Sequence, residues 1–224
     1  MELPKNKKIL FFCAHPDDDT FSSGALIYNL VKNNNKVLCI HLTSGLKGID
    51  RKIPTDYKIK IRQTEEINAC KILGVRPVFL RLDDPLFNCN SRNINIIIKI
   101  LKKEKPDIIF LPHEKDAHPT HKKVNKIVLN ASKSIKVKKK WFYETWTPLE
   151  KPNFIFFFDD LLMKIKISAM KQYKSQLERL DFISAIIALN TFRGITGQEL
   201  LRGFGKSYKS EKKYGEAFFI TKEK

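Results

Sequence analysis

A chain of 224 residues is long enough for one full domain with a sizeable core and too short for two ordinary domains without crowding. Its 42% hydrophobic content, with 11% aromatic residues, belongs to the globular class, and no apolar run approaches the roughly 20 residues that span a bilayer. The formal net charge of +18 admits nucleic acid, anionic lipid head groups or a phosphorylated substrate as partners. However, the excess is nearly all Lys scattered among Asn and Ile, which reads as compositional bias, and no specific nucleic-acid binding is expected.

The N-terminal sequence MELPKNKKILFFCAHPDDD carries an apolar run of about six residues that meets charge directly, without the h-region and cleavage site of a secretory signal. A cytoplasmic address is the expectation. Lys8 to Ala14 reads as a buried strand, Thr20 to Val31 as a helix and Lys36 to Leu42 as a second strand. After a polar loop with Gly45, Gly48 and Pro54, the segment from about Ile59 to Leu73 has helical spacing and stops at Gly74. Val78 to Leu82 reads as a third strand, Ile94 to Lys103 as a helix, residues 107–112 as a fourth strand, and Pro119 to Ser132 as a helix with Pro in its first turn. This alternation predicts an α/β, Rossmann-like fold with a mostly parallel sheet and helices on both faces.

From Trp141 the alternation breaks down, and a more irregular C-terminal third is expected within one domain spanning 1–224. KWFYETW and NFIFFF look like strands, Leu161 to Leu177 and Asp181 to Leu189 look helical, and KKYGEAFFI is a late strand or closing segment. The run SIKVKKKW at 134–141 reads as a solvated connection, with a peripheral membrane contact as its functional alternative. NFIFFFDDLLMKIKI reads as core rather than as an apolar lip for a lipid-linked substrate. Cys13, Cys39, Cys70 and Cys89 are well separated and form no CxxC pair, which predicts reduced core thiols, no disulfide and no Cys-zinc site.

In an open α/β sheet, ligands gather outside the carboxyl ends of the strands. His15 to Asp19 directly follows the first strand, and HEKDAHPTH at 113–121 directly follows the fourth, so four of the five histidines fall on one rim. His41, inside a strand, reads as a core or sheet-end residue. Each loop alone is explicable as a turn and helix cap. Together they offer imidazole nitrogens plus a carboxylate, with room for water, as zinc or another divalent transition metal requires. Asp17 and Asp18 point in different directions in a turn, so one can ligate while the other acts as general base on a water that the metal activates. His118 and His121, at i and i+3, face the same way; one can ligate while the other reaches the substrate as acid or oxyanion partner.

These residues resemble a known family. AHPDDD with GA at 24–25, RQTEEINACKILGV at 62–75, PDIIFLPHEKDAHPTH at 106–121, KISAMKQYKSQ at 166–176 and YGEAFF at 214–219 are similar, in order, to the blocks of the LmbE-like, or PIG-L, deacetylases. Members of that family are Rossmann-like, zinc-dependent enzymes that remove acetyl from N-acetylglucosamine conjugates. The resemblance implies that His15, Asp18 and His121 bind Zn2+, that Asp17 is the general base, and that His118 stabilises the oxyanion or protonates the leaving amine. It places Arg62 near the sugar, against the alternative of a helix-surface Arg paired with Glu65 or Glu66.

Three departures from the pattern stand out. Asp19 replaces the usual Glu and is expected behind the ligating carboxylates. Ala25 replaces the second Gly of the usual pair. Thr120 stands where a carboxylate usually orients an imidazole, and Asp116 is the nearest substitute in sequence. The expected activity is metal-dependent N-deacetylation of a small-molecule or lipid-linked amino-sugar conjugate. Hydrolysis of another amide or of a phosphorylated substrate, and a catalytically weakened sugar- or polyanion-binding module, are the alternatives. The aglycone and the oligomeric state are not encoded in any motif of the chain.

Overall fold

The apolar run that follows the first lysines becomes β1, Lys8–Cys13, and its side chains divide between two hydrophobic layers. Ile9, Phe11 and Cys13 enter one layer, and Leu10, Phe12 and Ala14 enter the other. A strand buried on both faces needs helices on both sides of its sheet, as in parallel α/β folds. The computed structural model, which describes residues 2–82, 87–135, 137, 139–208 and 212–222, has that architecture.

From β1 the chain runs through α1 (Asp18–Lys32), β2 (Lys36–His41), α2 (Thr55–Leu73), β3 (Arg76–Phe79), α3 (Ser91–Glu104), β4 (Ile108–Pro112) and α4 (Pro119–Ser132). It continues through β5 (Lys139–Tyr143), β6 (Phe154–Phe158), α5 (Asp160–Met170), α6 (Lys174–Leu177), α7 (Phe182–Arg202) and β7 (Tyr214–Lys222). The sheet order is β3-β2-β1-β4-β5-β7-β6, and every pair is parallel except the two that β7 makes. Residues of α1, α2 and α5 pack with Phe11 on one face; residues of α3 and α4 pack with Phe12 on the other. The chain order therefore reverses between β1 and β4, and the loops leaving these two strands open the crevice where such folds bind ligands.

Several elements differ from the sequence reading for identifiable reasons. β3 starts at Arg76 and ends at Phe79 rather than spanning Val78 to Leu82, because Arg81 has a positive φ of 51° that breaks the strand. The helix expected from Leu161 to Leu177 is interrupted after Met170, where a turn aims Tyr173 inward. The helix expected to stop near Leu189 runs on to Arg202, through glycines that a sequence reading treats as breakers. Gly194 is required there: a Cβ would lie 2.0 Å from the Lys213 carbonyl oxygen, so its absence lets α7 rest on the chain entering β7. In the basic run at 134–141, Lys136 and Lys138 lie outside the described residues, while Val137 is buried and β5 begins at Lys139. Among the described residues, no helix is long and apolar enough to cross a membrane.

One buried ion pair fixes the C-terminal third to the start of the chain. α1 kinks at Ser23, whose φ of −139° and ψ of 16° interrupt the helical ladder. The amides of Ala25 and Leu26 donate instead to Glu216 Oε1 and Oε2 of β7, at 3.0 and 2.8 Å. Glu216 thus caps the second half of α1 from a distant strand. Its charge is met by the fully buried Lys166 of α5, with Nζ 2.6 Å from Oε1 and 3.0 Å from Asn190 Oδ1 of α7. Removing one member of such a pair strands a charge in the interior. Glu216→Gln is therefore expected to lower unfolding free energy by about 3–5 kcal/mol. The double variant with Lys166→Met should recover much of that loss, as measured by urea denaturation followed by far-UV circular dichroism.

Candidate metal centre

The site is assembled where β1 and β4 end. Asp18 opens α1 and turns back, so that its Oδ2 accepts the amides of Ala14 and His15, both at 2.8 Å. Its Oδ1 faces His121 Nε2 at 3.2 Å. His121, in the first turn of α4, is fully buried, and its Nδ1 lies 3.3 Å from Asp116 Oδ1. His15 and His118 complete the group, with ring centroids 4.8 Å apart and 5.3 and 4.8 Å, respectively, from that of His121. One nitrogen from each of the three imidazoles lies within 4.8 Å of the others.

Asp17 stands beside this group and is held by a different partner. Its φ of 144° is a conformation that L-residues rarely adopt, and such strain persists only where the surroundings impose it. Arg62 of α2 imposes it here: Nη2 donates to Asp17 Oδ2 at 2.7 Å and also to the Pro16 carbonyl. Arg62 is buried, in contrast to the helix-surface alternative, and its Nη1 reaches Glu65 Oε2 at 3.6 Å. Gly45 permits the approach, because a Cβ there would lie 3.0 Å from Pro16 Cδ and 3.1 Å from Arg62 Nε.

The electrostatics suit a dication. Burial pushes His15 down to about 3, which keeps that imidazole neutral with a lone pair to offer. Burial would also lower His121, but the carboxylates of Asp18 and Asp116 overcome it and raise it to about 10. Asp18 is buried too, yet His121 and His15 hold its carboxyl well below the usual range. A position that grips a proton between two carboxylates favours any cation that replaces it, and both His121 nitrogens are buried without a hydrogen bond of good geometry. With His15 and Asp18, these atoms form a nitrogen and oxygen donor set that fits zinc.

Three sequence expectations are redrawn by the geometry. Asp116 does not take over the missing carboxylate beside the His118 ring; it approaches the His121 ring and accepts the His118 backbone amide at 2.8 Å. The His118 ring is instead set by Thr120, whose amide donates to Nδ1 at 3.2 Å and leaves the ring proton on Nε2. Asp19 is not behind the ligating carboxylates. As the residue after Asp18 it points about 100° further round the helix, into the interior, where His41 Nε2 lies 3.6 Å from its Oδ1. His113 turns away from the group and hydrogen-bonds the Thr147 carbonyl at 2.8 Å.

That last contact anchors a loop the sequence did not mark. Residues 144–149 follow β5 and form one wall of a cleft of about 750 Å³ whose floor holds His15, Asp17, Asp18 and His118. Trp146 donates its amide to Asp116 Oδ2 at 3.2 Å and sets its ring 6.1 Å from that of His118. Buried Glu144 and Arg193 pair at 2.7 Å beneath the loop. The rest of the apolar lining comes from Phe21, Phe182, Ile186 and Leu189, with the Phe182 ring 5.7 Å from that of Trp146. KWFYETW reads as one strand, and only the Thr-Pro after it signals that the strand ends early.

A model of the family described as PIG-L, GlcNAc-PI de-N-acetylase, matches residues 10–132. The protein described as uncharacterized deacetylase YaiS of Escherichia coli K12 is 27% identical over 181 residues, which is 76% of this chain and 92% of that protein. The N,N'-diacetylchitobiose deacetylase of Pyrococcus horikoshii has a TM-score of 0.80 at 23% identity, over 96% of this chain and 84% of its own. The 4-carboxy-2-hydroxymuconate hydratase of Pseudomonas putida has a TM-score of 0.79 at 13% identity, over 97% of both chains. These structural likenesses show the fold; a hydratase shares it, so the chemistry has to be argued from the site.

Because Asp116 approaches the His121 ring from the side opposite Asp18, Asp116→Asn should weaken divalent-metal affinity by about 10–100-fold without unfolding α4. Competition of the apo protein against a chromophoric zinc chelator measures this, and an unchanged affinity would contradict the role given to Asp116.

Proposed function

The chain belongs to the PIG-L family, and on that premise we propose that it is a zinc-dependent N-deacetylase acting on an N-acetylglucosamine-type sugar conjugate. The products are acetate and a free amino sugar. The observation that carries this reading is that His15, Asp17, Asp18 and His118 line one cleft large enough for a sugar, with the buried His121 behind them at 3.2 Å from Asp18 and within one cluster of imidazole nitrogens with His15 and His118.

His15, Asp18 and His121 would hold the metal, which when bound acts as a Lewis acid toward water and the acetamide carbonyl. Asp17 takes the proton of the attacking water. Burial pushes its carboxyl up to about 7, against the pull of Arg62, so it can both accept a proton and release it near neutrality. Arg62 acts through Asp17, fixing its carboxylate and strained backbone, and as a cleft-lining residue it stays beside the position given to the sugar. With Nδ1 engaged by Thr120, His118 presents Nε2–H to the developing oxyanion and then to the departing amine. The Trp146 ring offers an apolar face for the sugar, and the wall of Phe21, Phe182, Ile186 and Leu189 receives the aglycone. The likeness to the P. horikoshii N,N'-diacetylchitobiose deacetylase supports an N-acetylglucosamine unit as the acyl donor.

Metal-replete protein is expected to release acetate, and no phosphate, from at least one of a panel of N-acetylglucosamine conjugates. Asp17→Asn should reduce that release by about 10²–10⁴-fold while retaining metal, and His121→Ala should lose the metal as well. Absence of acetate from every conjugate would overturn the assignment, as would a wild-type rate in Asp17→Asn.

A further inference from the structure

A second group of metal-binding side chains lies between the sheet and helices α1 and α2, and the catalytic reading uses none of them. In the parallel register of β1 and β2, Cys13 stands opposite His41 and Phe11 opposite Cys39. Cys39 and His41, two apart on β2, therefore share a face with Cys13. α1 brings Asp19 to this face, and α2 brings Glu66 and Cys70, one turn apart. All six residues are fully buried.

Two overlapping sets have ligand atoms within 4.8 Å of one another: Asp19, Cys39 and Cys70, and Cys13, Asp19 and His41. Asp19 is common to both. Neither carboxylate oxygen of Asp19 and neither ring nitrogen of His41 makes a hydrogen bond of good geometry, although all four atoms are shut off from solvent. His41 Nε2 stands 3.6 Å from Asp19 Oδ1 and 3.4 Å from Glu66 Oε1. His41 faces this carboxylate from beyond hydrogen-bond distance, and a buried charge held so loosely is costly; an ion bound directly to it would relieve that cost. The Cys39 and Cys70 thiols and the Asp19 carboxylate supply three donors of a closed, four-coordinate zinc site, and His41, which shares the second set with Asp19, is the imidazole available as the fourth.

We propose that Asp19, Cys39 and Cys70, with His41 as the fourth donor, bind a structural zinc ion distinct from the catalytic metal. As the two Zn–S bonds form, each thiol loses its proton to solvent; the Cys70 thiol, which donates to Glu66 Oε1 at 2.9 Å, exchanges that hydrogen bond for the metal. The ion joins β2, α1 and α2 behind the rim, and so stiffens the helix start that carries Asp17 and Asp18. The sequence reading expected no Cys-zinc site because no two cysteines are close along the chain. The fold brings Cys39 and Cys70 together from a strand and a helix.

The ligands proposed for the catalytic metal are nitrogen and oxygen only, so a thiolate signature reports this second site alone. Apo protein titrated with Co2+ is expected to bind two equivalents and to develop a near-ultraviolet thiolate-to-cobalt charge-transfer band. His121→Ala should bind one equivalent and keep the band, whereas Cys39→Ala combined with Cys70→Ala should bind one and lose it. Saturation of the wild type at one equivalent without the band would overturn the proposal, as would persistence of the band in the double cysteine variant. Should the double variant fail to fold, the wild type and His121→Ala decide the matter between them.

Discussion

Carboxylates taken out of water govern this structure. In a low-dielectric interior an ionised acid is tolerable only against a cation or several hydrogen-bond donors, and the fold supplies these from elements far apart in sequence. Asp17 has Arg62; Asp18 has two amides and His121; Glu144 has Arg193; Glu216 has Lys166 and two amides. Glu65 accepts the amide and hydroxyl of Ser175, both at 2.7 Å, and Glu66 accepts the Tyr173 hydroxyl at 2.8 Å. Each pairing ties one segment to another that local propensity does not connect. Together they draw α2, α5, α6, α7 and β7 around the rim where β1 and β4 end.

The blocks that carry the family resemblance acquire distinct physical meanings in this frame. AHPDDD and HPTH carry the residues to which the proposed chemistry is assigned. RQTEE and KQYKSQ meet as Arg62, Glu65 and Glu66 on one side and Tyr173 and Ser175 on the other, with the Tyr173 hydroxyl also 2.9 Å from Thr20 Oγ1 of α1. The Glu of YGEAFF reaches back to the amide of Ala25, so the exchange of a second Gly for Ala leaves the backbone donor that matters in place. Most of the recognisable sequence therefore builds the support of the site, and a small part of it lines the cleft. A hydratase with the same fold is consistent with that division, because a support of this kind does not select the reaction.

How much was legible follows from how local each signal is. The strands β1, β2 and β4, the helix α4 with Pro119 at its start, and the placement of both His-rich loops on one rim follow from periodicity and the geometry of parallel sheets. The partners did not. Nothing near Arg62 in the sequence says that it reaches Pro16 and Asp17, and nothing near Asp116 says that it serves the ring of His121 rather than that of His118. α7 extends past Leu189 because the low helix propensity of Gly194 and Gly197 is outweighed by their close packing on β6 and on the chain entering β7. The 144–149 loop is not legible in sequence because strand-like composition continues past Tyr143, the last β5 residue that pairs in the sheet.

The three consecutive acids of AHPDDD illustrate how one short segment can meet three incompatible demands. Like charges at adjacent positions repel, and a shared environment would leave at least one of them protonated. The chain limits this through rotation, leaving only the proton-exchanging Asp17 raised toward neutrality. Asp17, in its left-handed conformation outside α1, turns toward Arg62 and the cleft; Asp18, the first helical residue, turns toward the imidazoles; Asp19, one step round the helix, turns inward to His41 and the buried thiols. Each carboxylate thus faces a different basic side chain, and the strain at Asp17 is what separates the first from the second. A residue without that strain at position 17 would carry its side chain round with the helix and away from Arg62. The unusual backbone is therefore as much a part of the site as the three carboxylates it distributes.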